Sequence, residues 1–121
     1  MSEGFSVEEM KVGQSASMSK TVTEADIILF AGITGDFNPA HIDEEYAKQS
    51  MFKGRIAHGM LSAGFISATL AMKLPGPGSI YLGQNMKFKA PVKIGDTVKT
   101  TVTITDINID KKIVKLDTVC M

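Results

Sequence analysis

Asp36 and His41 carry the two side chains of this chain that are best suited to moving protons, and they stand five residues apart. On a straight helix, that spacing would turn the two side chains away from each other. Asn38 and Pro39 lie between them and favour a turn, because the residue before a proline avoids helical conformation. We therefore expect the backbone to double back and to bring Asp36 and His41 into one pocket. A carboxylate beside an imidazole is suited to acid–base catalysis at neutral pH, so the pair predicts an enzyme.

Charge and composition exclude several other classes of function. Thirteen basic residues balance thirteen acidic ones in 121 residues, which argues against nucleic acid or an anionic membrane as a partner. Tryptophan is absent and there are only two tyrosines, so no base-stacking surface is indicated. The length fits one domain, residues 1–121.

Cysteine content indicates the cell compartment. The single cysteine, Cys120, excludes an internal disulfide and a cysteine metal cluster, which fits a reducing cytoplasm. No hydrophobic stretch in residues 1–14 resembles a signal peptide, and no apolar run is long enough to cross a bilayer. We expect a cytoplasmic protein without a bound metal.

Short elements precede and follow the Asp36–His41 pair. Residues 14–22 alternate weakly and predict a first strand. Thr23 followed by two acidic residues is a typical helix start and predicts a short helix that ends near Gly35. Asp43 is suited to cap a second short helix over residues 44–49.

The most apolar segment, residues 58–72, predicts a buried helix. It carries no charge and is apolar on all sides. Two Pro-Gly pairs at residues 75–78 end it.

The last third of the chain changes to a period of two. Residues 79–90, 96–106 and 112–120 predict extended segments, with turns at Gly95-Asp96 and Asp110-Lys111. A buried helix followed by antiparallel strands predicts an α+β fold in which a curved sheet wraps the helix.

Three stretches of the chain resemble the MaoC-like hydratases, and among them the short (R)-specific enoyl-CoA hydratases. They are Gly-Asp-Phe-Asn-Pro-Ala-His at residues 35–41, Ile-Ala-His-Gly-Met at 56–60, and residues 78–84 with 87–96. The resemblance implies a hot-dog fold, in which a long central helix is wrapped by an antiparallel sheet. In one respect the chain departs from the family pattern, which has a further strand after Met121, so we expect the sheet to lack that segment.

The resemblance implies reversible addition of water to a trans-2-enoyl-CoA, which gives an (R)-3-hydroxyacyl-CoA. Asp36 and His41 match the family's catalytic pair, and we expect Asp36 to be the general base while His41 orients water and helps to protonate C2. Gly59 opens the apolar helix, where a free N–H and the absence of a side chain suit it to stabilise the thioester oxygen. Asn38 is expected to contact the substrate, and Ser67 either contacts the substrate or bonds a backbone carbonyl within its own helix.

The resemblance also implies partners. The substrate is an acyl-CoA thioester that itself carries coenzyme A, so no separate cofactor is expected. Two protomers are expected to form a homodimer, and association into larger homo-oligomers stays open.

Two other functions remain open for this fold. An acyl-CoA thioesterase would also use a carboxylate, although the Asp36 and His41 pair argues against it. A non-catalytic acyl-CoA-binding subunit would not need either residue.

At the level of single residues, Asp36 could cap a turn and His41 could pack in a core. His58 fits packing or capping better than catalysis, and Lys53, Arg55, Lys87 and Lys89 fit solvated surface better than coenzyme A phosphate contacts.

Overall fold

Local capping sets both ends of the first helix in the computed structural model, which describes residues 4–121. Helix α1 spans Glu24–Thr34. The Thr23 hydroxyl accepts a hydrogen bond from the Asp26 N–H at 3.2 Å, and the Asp26 carboxylate accepts one from the Thr23 N–H at 2.9 Å. This reciprocal arrangement satisfies two donors at the helix start. Gly35 ends the helix with a φ of 82°, so the predicted bounds of this helix are confirmed.

Two very short helices follow α1. Helix α2 spans Pro39–Ile42, and the Asn38 side-chain oxygen accepts a hydrogen bond from the Ala40 N–H at 3.0 Å. Proline fits the first position of a helix because its missing N–H needs no partner there. Helix α3 spans Glu44–Lys48 and is capped by Asp43, as predicted.

The long apolar helix, α4, spans Gly59–Met72. Ala63, Ile66 and Thr69 are buried, which confirms that one face of this helix belongs to the core. The opposite face is exposed in the single chain, however, and it comprises Met60, Gly64, Ser67, Ala71 and Met72. The prediction of burial on all sides followed from composition, and composition does not distinguish a face covered by the same chain from one that is left open.

Among residues 4–121, three strands form one sheet in the order β1-β2-β3. Strand β1 spans Ser15–Thr21, β2 spans Thr97–Asn108 and β3 spans Ile113–Cys120. Strands β2 and β3 pair in antiparallel fashion from Thr100 opposite Cys120 to Asn108 opposite Ile113, with one irregularity between Ile104 and Asp106. The predicted turns at Gly95-Asp96 and Asp110-Lys111 are present.

Residues 79–90 do not form the strand that their alternating pattern predicts. No regular secondary structure is assigned there, and Ile80, Leu82 and Phe88 are exposed. An extended segment becomes a strand only when another backbone pairs with it. Among residues 4–121, no strand takes that position beside it.

Two compact units divide the described residues. Residues 4–19, 64–84 and 99–121 form one unit, whose core contains Met10, Leu74, Val102 and Ile104. Residues 20–63 and 85–98 form the other unit, in which Val22, Ile27, Ala31, Ala47 and Ala57 are buried. Within residues 4–121, no helix is long and apolar enough to cross a membrane.

Candidate active site

Asp36, His41 and His58 converge in the second unit. One potential ligand atom from each side chain lies within 4.8 Å of the other two. Asp36 is exposed, His41 is partly buried and His58 is almost fully buried. The Asn38-Pro39 turn thus brings the carboxylate and the imidazole together, and His58 joins them from the start of α4.

Hydrogen bonds within the turn hold Asp36. Its N–H donates to the Thr34 hydroxyl at 3.2 Å, and its carboxylate accepts a hydrogen bond from the Asn38 N–H at 3.1 Å. One carboxylate oxygen is therefore committed to the turn. The turn role considered for Asp36 is real, and it leaves the second oxygen for other partners.

The backbone of Ile56 determines which nitrogen of His41 carries the proton. His41 Nδ1 lies 2.8 Å from the Ile56 carbonyl oxygen. A carbonyl oxygen only accepts hydrogen bonds, so Nδ1 must donate. In the neutral ring, Nε2 is then left with a lone pair that is able to take a proton.

His58 packs directly on the other two members of the cluster. Its side chain is 2 % exposed, and its Nε2 donates to the main-chain carbonyl of Asp36 at 3.0 Å. Its ring stacks on that of His41 with centroids 3.9 Å apart and planes inclined by 27°. Phe30 covers it at a centroid distance of 4.8 Å. Sequence reasoning assigned His58 to packing, and the Ala-His-Gly at the start of an apolar helix was the only signal that it belongs here.

Arg55 is not a surface residue, contrary to the prediction. Its side chain is only 9 % exposed. Its Nε donates to the main-chain carbonyl of His41 at 2.7 Å, and one terminal nitrogen pairs with Glu24. Sequence alone could not show this, because both partners are distant along the chain. Lys53, Lys87 and Lys89 are exposed, as predicted.

Gly59 begins α4 one residue after His58. A Cβ atom at this position would lie 3.0 Å from the Phe88 ring. A side chain at this position would therefore require the Phe88 ring to shift. Asn38 uses its side-chain oxygen, and not its amide N–H groups, to cap α2. Ser67 is exposed on α4 and belongs to the first unit, whereas Asp36 and His41 belong to the second.

The stacked rings do not suit a metal ion, although two histidines and a carboxylate are typical ligands. Each imidazole lone pair lies in the plane of its ring. The ring planes of His41 and His58 face each other with centroids 3.9 Å apart and an inclination of 27°, so an ion in the plane of one ring lies off the plane of the other. Both cannot meet one ion at roughly 2.1 Å unless a ring rotates.

Comparisons with known proteins identify what this arrangement resembles. The family described as MaoC like domain matches residues 6–120. An (R)-specific enoyl-CoA hydratase of Rhodospirillum rubrum is 61 % identical over 113 residues, which are 93 % of this chain and 78 % of the relative. A 3-hydroxybutyryl-CoA dehydratase of Methylorubrum extorquens is 41 % identical over 93 % of this chain and 72 % of its own length.

A solved structure confirms the fold. The unliganded R-hydratase of Pseudomonas aeruginosa superposes with a TM-score of 0.92 at 44 % identity and covers 98 % of this chain and 76 % of its own. The α+β hot-dog fold predicted from the sequence is thereby confirmed.

Proposed function

The chain belongs to the MaoC-like domain family, and we propose that it is an (R)-specific enoyl-CoA hydratase. It adds water reversibly to a trans-2-enoyl-CoA and forms an (R)-3-hydroxyacyl-CoA, so it is a hydro-lyase. The observation that carries this function is the convergence of Asp36 and His41 in a chain that is 61 % identical to such a hydratase. The same chemistry in the reverse direction is dehydration, and the concentrations of substrate and product set the direction.

Asp36 and His41 supply the proton transfers in this mechanism. Water held between them attacks C3 of the enoyl group and loses a proton to one of the pair. The lone pair on His41 Nε2 and the free oxygen of Asp36 are both suited to accept it. The protonated partner then delivers a proton to C2. The sequence predicts Asp36 as the general base. The hydrogen bond at His41 Nδ1 leaves Nε2 able to accept the proton, which supports His41 as a second candidate for that role.

The thioester oxygen gains negative charge as the C3–O bond forms. The N–H of Gly59 at the first turn of α4 has no partner within the helix and lies at the positive end of its dipole. We assign it to this oxygen, with Asn38 and Ser67 as further contacts to the substrate. Removal of one such donor typically costs on the order of 3 kcal/mol in the barrier.

The remaining properties proposed here follow from the same function. We propose a single-domain, cytoplasmic homodimer that takes acyl-CoA thioesters and needs no cofactor apart from the coenzyme A on its substrate. The open face of α4 and the exposed side chains of Ile80, Leu82 and Phe88 support a dimer, because apolar side chains left open in one chain are often covered at an interface.

The test follows the loss of enoyl-thioester absorbance when the purified protein meets crotonyl-CoA. We expect conversion to (R)-3-hydroxybutyryl-CoA, identified by chiral analysis. Asp36→Asn and His41→Gln should each lower kcat by roughly 10²-fold or more, since general acid–base groups contribute at least that much. Asp117→Asn, which changes an exposed carboxylate on β3, is the matched control and should retain the parent rate.

Two outcomes would overturn this function. Release of free thiol from crotonyl-CoA or from a saturated acyl-CoA, with no hydrated product, would make the protein a thioesterase. Tight binding of enoyl-CoA by folded protein without any turnover would make it a binding subunit.

A further inference from the structure

We propose that His58 is a positioning residue that holds Asp36 and His41 in the relative position that the hydration reaction needs. The inference rests on the proposed function, because it assigns His58 a part in that same site. His58 touches both members of the pair, the main chain of one and the ring of the other. Neither contact involves the reacting atoms, so His58 acts through its neighbours.

The hydrogen bond to Asp36 fixes the state of the His58 ring. The acceptor is a carbonyl oxygen, so Nε2 must carry the proton. In the neutral ring, Nδ1 then carries a bare lone pair. That atom is buried and has no hydrogen-bond partner among the described residues. Burial of an unpaired acceptor is unfavourable, and such a group in a folded protein calls for a reason.

Packing alone does not supply the reason. An apolar aromatic ring would fill the same space beneath Phe30 and His41 without stranding an acceptor. An apolar ring would lack the donor at the position of Nε2 that reaches the Asp36 carbonyl. That bond anchors the main chain at the residue whose side chain accepts from Asn38, so it limits the rotation of the Asp36 carboxylate.

The stacking contact acts on the second catalytic side chain. His41 is tied at Nδ1 to the Ile56 carbonyl, which leaves rotation about that hydrogen bond as its main freedom. The His58 ring, stacked at 3.9 Å, removes this freedom from one side. The two contacts together hold the His41 ring and the Asp36 main chain in fixed positions.

Two amide substitutions test whether His58 acts through a hydrogen-bond donor at the position of Nε2 or only as a polar side chain. The amide nitrogen of His58→Gln reaches the position of Nε2, whereas that of His58→Asn reaches only the position of Nδ1. We expect His58→Gln, which keeps the donor but loses the stacked ring, to lower kcat for crotonyl-CoA by about threefold, and His58→Asn, which loses both contacts, to lower it at least tenfold. KM should stay within twofold in both, because substrate contacts are intact. The kcat of His58→Phe, which keeps the ring without the donor, should also be lower than that of the parent.

Equal thermal midpoints of the Gln and Asn variants would show that the rate difference is not one of folding. Equal kcat values for those two variants, or full activity of His58→Phe, would overturn the proposal. A parent protein without any hydratase activity would instead remove the proposed function itself.

A second measurement does not depend on variants or turnover. Long-range ¹H–¹⁵N NMR of the unmodified protein reports which ring nitrogen is protonated. We expect the proton of His58 on Nε2 and that of His41 on Nδ1. A proton of His58 on Nδ1 would exclude the bond to Asp36 and overturn the proposal, even if the Asn variant failed to fold.

Discussion

At the scale of single residues, main-chain carbonyls orient the chemistry of this site. The carbonyl of Ile56 fixes His41, that of Asp36 fixes His58, and that of His41 is itself held by Arg55. A substitution does not remove a main-chain carbonyl, so these hydrogen-bond acceptors, which determine which ring nitrogen carries the proton, are retained in variants. Substitution of the side chains that donate to those carbonyls, His41, His58 and Arg55, would change the arrangement.

We expect Arg55 to contribute more to the free energy of unfolding than its ion pair with Glu24 alone would contribute. We expect Arg55→Met to lower the free energy of unfolding by about 2 kcal/mol, because hydrogen bonds to charged groups contribute roughly 1.5–3 kcal/mol. Glu24 is 63 % exposed, so Glu24→Gln should cost less than about 1 kcal/mol. Urea unfolding of both variants checks this. Equal losses would mean that the ion pair, not the bond to the His41 carbonyl, is the important contact.

Packing against Phe88 and the proposed contact with the thioester oxygen are two explanations for Gly59, and a double substitution separates them. In Gly59→Ala the new Cβ would press on the Phe88 ring at 3.0 Å. Phe88→Ala removes that conflict and should restore the thermal midpoint of the Gly59→Ala protein. We expect kcat for crotonyl-CoA to remain low in the double variant, by roughly 10²-fold if oxyanion stabilisation is lost. Recovery of rate together with stability would show that Gly59 serves packing only.

At the scale of secondary-structure elements, the start of α1 depends on one hydroxyl. Thr23→Ala should destabilise the protein by about 1 kcal/mol, because the Asp26 N–H loses its acceptor. Thr23→Ser keeps the hydroxyl and should stay within a few tenths of a kcal/mol of the parent. Thermal unfolding of the three proteins measures both differences. A Ser variant as unstable as the Ala variant would attribute the effect to the threonine methyl group.

The same helix start gives stability a dependence on pH. The hydrogen bond from Lys20, aided by that from the Thr23 N–H, lowers the pKa of Asp26 below its ordinary value of 3.8. A carboxylate whose folded pKa is depressed adds stability above the unfolded pKa and loses it as the pH falls through the folded value. Asp26→Asn should therefore destabilise the protein at pH 7 and destabilise it less at pH 3, which lies below the ordinary pKa. Urea midpoints at the two pH values check this, and equal losses would contradict it.

The elements that sequence predicted well are those set by neighbours along the chain. Thr23 and Asp43 cap helices through atoms three residues away, so their role is readable from sequence. Residues 79–90 were wrongly predicted as a strand, because the pairing of a strand depends on a distant backbone. The burial of Arg55 was missed for the same reason. The Asp36–His41 convergence was predictable because a single local turn produces it, but the stacking of His58 arises only when α4 reaches the turn.

At the scale of the whole molecule, the apolar side chains left open should join two copies of the chain. We expect sedimentation equilibrium to give twice the 13.0 kDa mass of one chain. Ile80 is 82 % exposed in the extended segment, so Ile80→Asp should shift the protein toward the monomer. Ile109→Asp places the same charge at the β2–β3 turn, where Ile109 is 58 % exposed, and should leave the mass unchanged. A monomeric parent protein would contradict the homodimer.

Ile56 uses both of its main-chain polar groups on neighbouring residues: its N–H donates to the Ala40 carbonyl at 3.2 Å and its carbonyl accepts from His41. The intervening residues 42–55, which include α3, thus form a closed loop whose two ends are held together by these contacts. Lengthening such a loop is cheap, since each doubling costs only about 0.6 kcal/mol in closure entropy. Insertions there could reshape the surroundings of the site while its proton-transfer pair stays where it is, which makes this loop the natural place to diversify the enzyme.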